Sequence, residues 1–166
     1  IHISGQLTHA QMTAISAAVG MSVAAALTVA VPLLVAMADP AHAAVPVAGG
    51  TYTLAVTKSG KCLDVTDGST ANKALLQQWN CHPEQTNQQW TLGQRGSGTY
   101  ELRSTGSGKC VDVPDHSTTS GIRLQQYTCV GSDNQLWRLT PSGTGTYQIV
   151  NVGRGLCLCE QKGATP

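Results

Sequence analysis

One segment of the chain is written twice. From Gly60 to Leu92 it reads GKCLDV, then LLQQWNC, then NQQWTL; from Gly108 to Leu139 it reads GKCVDV, then RLQQYTC, then NQLWRL. Cys62 thus recurs as Cys110 and Trp90 as Trp137, and a third copy opens with TYQIVNV and GLCLC. Tyr52, Tyr100 and Tyr147 mark the three starts, spaced 48 and 47 residues apart. A period of this length signals stacked or symmetric copies of one supersecondary unit, so the fold and the function must both be read from the repeat.

Within each copy the apolar segments are short and rich in Val, Leu, Thr, Tyr and Trp. They are separated by KSG, TDGS, QRGSG, STGSG and PSGTG, which are turn sequences. YTLAV, KCLDV, LLQQWNC and QQWTL read as four strands per repeat, and the chain is expected to be all-β. Domain boundaries follow the repeats: 51–98, 99–145 and a partial third at 146–166, preceded by a linker at 44–50.

The first 43 residues are of another kind. No Lys or Arg precedes Lys58, and Ala14 to Ala38 is an uncharged apolar run dominated by Ala, Val, Leu and Met. Its end, ADPAHAAVP, places Ala41 and Ala43 around His42 in the small-residue pattern a signal peptidase accepts, so residues 1–43 read as a helical signal segment cleaved after Ala43. The run is longer than a usual signal core and no fixed positive charge precedes it. At ~1.5 Å per residue it is also long enough to cross a ~30 Å hydrocarbon layer, and an uncleaved membrane anchor is the competing expectation.

A net charge of +1 with only 11% charged residues gives no basic face for nucleic acid. Cysteine usage points to export. Cys62 and Cys81 are 19 residues apart, as are Cys110 and Cys129, each pair lying at equivalent places within one repeat. One local disulfide per repeat fits this better than a zinc site, which needs closely spaced ligand pairs, and no metal or cofactor is expected.

These motifs together resemble the ricin B-chain type of lectin module, a β-trefoil marked by a Gln-x-Trp element in each subdomain. Gln88-Gln89-Trp90 and Gln135-Leu136-Trp137 carry that element, and the Cys-x-Asp-Val opening and the Cys before Asn-Gln-x-Trp strengthen it over residues 51–159. The resemblance implies three-fold pseudosymmetry, a barrel capped by three hairpins, and up to one shallow sugar pocket per subdomain.

A sugar offers vicinal hydroxyls and one apolar C–H face. It is held by a carboxylate accepting O–H donors, by amides, and by an aromatic platform. By the family pattern Asp64 would accept the hydroxyl pair, Gln77 would line the pocket, Trp79 would stack on the sugar, and Asn87 with Gln88 would hydrogen-bond at the rim. The second repeat supplies Asp112, Gln125, Tyr127, Asn134 and Gln135 in the same places. Tyr127 in place of Trp79 keeps a stacking face of different shape, so the two pockets need not share a ligand. Trp90 and Trp137 read as core, and Asp67 and Asp115 as turn residues.

The third repeat departs from the pattern. Cys159 stands where Asp64 and Asp112 stand, so this site is expected to be dead. The sequence stops at Pro166, before a second cysteine, an aromatic or a Gln-x-Trp element. Cys157 and Cys159 are therefore expected to be free, mispaired or intermolecular. An unfinished subdomain is expected to leave open strand edges and to favour self-association.

Two equivalent aspartates in separate repeats are not the paired carboxylates a glycosidase uses. His82 and His116 have no evident nucleophile and orienting acid, and no Gly-x-Ser-x-Gly element occurs. The expectation is thus a secreted, non-enzymatic lectin binding galactosides or plant cell-wall polysaccharide such as xylan through two pockets. The alternatives are a non-lectin trefoil that binds a protein partner, as an inhibitor does, and a non-functional or membrane-tethered fragment.

Overall fold

The computed structural model describes residues 2–4, 10–14, 46–143 and 145–159, with side chains from residue 46 to 158 apart from 144. The expected signal or anchor helix over the apolar run, and the side chain of Cys159, lie outside the described residues. Among the described residues no helix is long and apolar enough to cross a membrane.

The repeat becomes three-fold structure. The first copy forms β3 (Thr51–Val56), β4 (Cys62–Val65), β5 (Leu76–Trp79) and β6 (Gln89–Gly96). The second forms β7 (Thr99–Ser104), β8 (Cys110–Asp112), a two-residue β9 (Ile122–Arg123), β10 (Gln125–Tyr127) and β11 (Trp137–Gly143). The third supplies β12 (Thr146–Asn151) and β13 (Cys157–Cys159). Two further strands precede the linker, β1 (His2–Ser4) and β2 (Ala10–Ala14).

Antiparallel pairing links β3 to β6, β6 to β7, β7 to β11, β11 to β12, β12 to β2 and β2 back to β3, which closes a six-stranded barrel. Closure removes sheet edges that would otherwise invite further pairing. The hairpins β4–β5 and β8–β10 and the antiparallel pair β13–β1 form the caps.

The third subdomain is completed from the N-terminal side of the linker, against the expectation of open edges. Ala10 pairs with Tyr147 as Trp90 pairs with Tyr52 and Trp137 with Tyr100, so β2 lies in the register of the Gln-x-Trp strands. It runs on along β3 from Ala10↔Val56 to Ala14↔Tyr52, as β6 runs along β7 from Trp90↔Ser104 to Gln94↔Tyr100. The backbone ladder is satisfied, but an alanine stands where the other two subdomains place a tryptophan.

Trp90 and Trp137 are completely buried, and their indole nitrogens donate to the carbonyls of Leu63 (3.1 Å) and Val111 (3.2 Å) on the cap strands. Around them pack Leu54, Leu92, Leu102 and Ile149 of the barrel and Leu63, Leu76, Val111 and Leu124 of the caps. The alternation of buried and open positions along β6 and β12, and from Leu54 to Val56 in β3, puts these side chains inside. Disulfides join Cys62 to Cys81 and Cys110 to Cys129, with Cα atoms 5.0 and 5.1 Å apart. Each ties the start of a cap strand to the loop beyond its hairpin.

A candidate carbohydrate site in each of two subdomains

The cap hairpin builds the site. β4 and β5 pair Asp64 with Gln77 and Cys62 with Trp79, so the disulfide at one end fixes the strand that carries the aromatic. A 3₁₀ turn at Thr66–Gly68 follows β4, and a second at Thr86–Gln88 brings Asn87 and Gln88 back to Asp64.

Asp64 is 2% exposed, and side-chain amides hold it. Oδ1 accepts from Gln77 Nε2 (2.9 Å), and Oδ2 accepts from Asn87 Nδ2 (2.8 Å) and Gln88 Nε2 (2.9 Å). A carboxylate has about four lone-pair sites, so roughly one remains for a ligand, on the Oδ1 side. Both amide hydrogens of Asn87 are engaged, the second on the Val65 carbonyl at 3.2 Å, so Asn87 faces a ligand with its carbonyl oxygen. Gln77 keeps its carbonyl and one N–H. The cleft is thus rich in acceptors, the complement of a sugar's hydroxyl donors.

Gln88 is not at the rim. It is fully buried, and its amide is saturated by Asp64, by the Asn80 carbonyl (2.9 Å) and by the His82 N–H (2.7 Å). Its place is beneath the carboxylate, which it orients. The open side belongs to Trp79, which at 53% exposure is a large apolar surface left in solvent. Asp64, Asp67, Gly68, Gln77, Trp79, Gln85 and Asn87 line a cleft of about 400 Å³. Sequence reasoning left out Asp67, Gly68 and Gln85. Asp67 reads as a turn residue, and its left-handed backbone (φ 55°) does make that turn while it also faces the cleft.

The second subdomain repeats the construction. Asp112, 4% exposed, accepts from Gln125 (2.8 Å), Asn134 (2.9 Å) and Gln135 (2.9 Å). Gln135 is fully buried like Gln88, bound also to the Thr128 carbonyl (3.0 Å) and the Val130 N–H (2.8 Å). Tyr127, half-buried, takes the place of Trp79. Burial raises the pKa of Asp112 above the ordinary 3.8, against the amides of Gln125, Gln135 and Asn134 and the nearby His116, which favour the charged form. In the third subdomain, the pairing of Cys157 with Ser4 and Cys159 with His2 puts Cys159 where Asp64 stands and His2 where Gln77 stands, so the carboxylate is missing there.

Comparison with known proteins agrees with this geometry. Structures with the same fold include a designed three-fold symmetric protein, ThreeFoil, with 40% identity, 64% of this chain and 76% of that chain covered, and a TM-score of 0.62. An exo-β-1,3-galactanase from Clostridium thermocellum shares 40% identity over 63% of this chain and 23% of its own, with a TM-score of 0.60. This chain therefore matches about a quarter of that enzyme. A Polyporus squamosus lectin, solved with the epitope Neu5Acα2-6Galβ1-4GlcNAc, shares the fold at 22% identity and a TM-score of 0.58, over 71% of this chain and 42% of its own. The sequence profile of the ricin-type beta-trefoil lectin domain-like family matches residues 42–121 and again 86–165. Two sites built alike on a closed trefoil, with a family profile matching over both repeats, show that this chain belongs to the ricin-type β-trefoil lectin domain-like family.

Proposed function

We propose that the chain is an exported carbohydrate-binding module that holds β-galactosides in two pockets, centred on Asp64 with Trp79 and on Asp112 with Tyr127. The observation that carries this reading is the twice-built set of a buried carboxylate, three amide donors that fix it, and an aromatic beside it. A core needs no acceptor-rich cleft, and the exposed Trp79 is not explained by packing. The likeness to part of a galactan-degrading enzyme at 40% identity favours galactosides over xylan. Two disulfides support export.

The module binds without cleaving. Each aspartate is bracketed by three amide N–H groups that favour its role as an acceptor and leave room for one ligand hydroxyl, whereas a glycosidase needs one carboxyl that carries a proton beside one that does not. Shallow, wet pockets gain little individually, and two on one polymer raise retention through effective concentration.

Calorimetric titration of the chain with β-1,3-galactan oligosaccharides and with xylan oligosaccharides is the test. Asp64→Ala and Asp112→Ala should each remove one of two binding equivalents for galactan, and the double variant both, with no reducing ends released by any of them. Binding to xylan alone, or undiminished galactan binding by a folded double variant, would refute this reading.

A further inference from the structure

The two pockets differ along one wall. Gly68 of the first and His116 of the second close equivalent 3₁₀ turns, both with left-handed backbone (φ 60° and 50°). Gly68 lines the first cleft, and where its β-carbon would project nothing lies within 4 Å. In the second subdomain the equivalent position carries the His116 side chain. His116 Nδ1 lies 3.0 Å from Asp133 Oδ1, and the ring is near enough to Asp112 for its charge to act there. A histidine in this backbone region is uncommon and disfavoured relative to glycine, and such positions concentrate at ligand sites.

Asp133, where the first repeat has Thr86, is held from behind by the third subdomain. Its carbonyl accepts from the Gly153 N–H and from Asn151 Nδ2, each at 3.2 Å, and its carboxyl lies so close that a β-carbon on Gly153 would come within 2.6 Å of Cγ. A second difference points the same way. Ser132 Oγ donates to Asn134 Oδ1 at 2.6 Å, taking the acceptor that Asn87 leaves open, and Asn134 is 5% exposed where Asn87 is half-buried.

From this asymmetry we infer that His116 and Asp133 are specificity determinants that make the second pocket a site for terminal sugars, while the first accepts internal units of a chain. The inference rests on the reading of both pockets as β-galactoside sites. A sugar seated on Asp64 can carry its chain out over Gly68. At Asp112 that exit is closed by the imidazole, so a unit substituted on that side does not fit. The His116 ring nitrogen and the Asp133 carboxylate meet a free hydroxyl there instead.

The test uses the ¹⁵N-labelled full chain and two probes, methyl β-galactoside and β-1,3-galactotriose. The Trp79 indole N–H reports the first pocket, and the Tyr127 and Asn134 amides report the second. The first pocket should prefer the trisaccharide by roughly tenfold or more, equivalent to about 1.4 kcal/mol. The second should bind both probes with the same affinity, since each presents one terminal unit. His116→Gly, which restores the residue suited to a left-handed turn and so keeps the fold, should give the second pocket the trisaccharide preference and leave the first unchanged. Equal preferences in the two pockets of the unaltered chain, or a second pocket indifferent to His116→Gly, would overturn the inference while leaving the galactoside reading intact. If neither probe moves either pocket, both readings fall.

Discussion

At the scale of single residues, the aspartates are the most informative. Asp112 has its pKa raised by burial above 3.8, so on acidification it takes up a proton before an ordinary carboxylate would, and an acceptor becomes a donor. The linkage has a definite sign: with the folded-state value above the unfolded one, ionisation of Asp112 opposes folding. That contribution grows as pH rises from about 3.8 through the raised value. Binding at the second pocket should therefore decline on acidification at a pH still above 3.8 while the fold holds, as a pH series of sugar titrations read at Tyr127 would record. The residues around Asp64 and Asp112 could be named from the family resemblance, because the repeat shows its motif twice, while Asp67, Gly68 and Gln85 of the first cleft carry no motif and were missed. Depth was not legible. Gln88 and Gln135 share the composition of rim amides, and only the second 3₁₀ turn of each subdomain shows that they lie under the carboxylate. The significance of His116 was equally hidden, since its role depends on a contact with Asp133 that the repeat alignment does not contain.

At the scale of elements, each pocket is a cap hairpin whose geometry depends on its disulfide. Cys62 pairs across the hairpin with Trp79, and Cys81 follows Trp79 by two residues, so the bridge restrains the strand that presents the aromatic. Replacing Cys62 and Cys81 together by Ser should cost about 3 kcal/mol by loop entropy for a short closed loop. It should also weaken the first pocket more than the second, as chemical denaturation and calorimetry of the double variant would show. Strand positions were readable in the sequence because alternation and turn residues agree; β3, β4, β5 and β6 fall on the four expected segments. β9 was not anticipated. It is two residues long and owes its strand character to the pairing of Ile122 with Ile3 and Arg123 with His2.

At the scale of the whole molecule, the barrel closes through a strand that lies far away in sequence. No local pattern in Ala10–Ala14 announces a barrel strand, because its pairing comes from the vacant register between β12 and β3. A chain beginning at Ala44, as signal cleavage would produce, lacks β1 and β2 and exposes the edges of β3 and β12. It should unfold at lower temperature than the full chain and self-associate, as calorimetry and sedimentation would report. Equal stability of the two would mean that β2 adds nothing to closure.

The central claim is that the two cap hairpins hold sugar, and retention on immobilised β-1,3-galactan tests it most directly. Trp79 is half in solvent and Tyr127 only half-buried, so replacing both by Ala removes the stacking faces while the amide-bracketed aspartates and the core stay in place. The unaltered chain should be retarded on the galactan and the folded Trp79→Ala/Tyr127→Ala variant should pass unretarded. Equal retention of the two, or passage of both, would contradict the account.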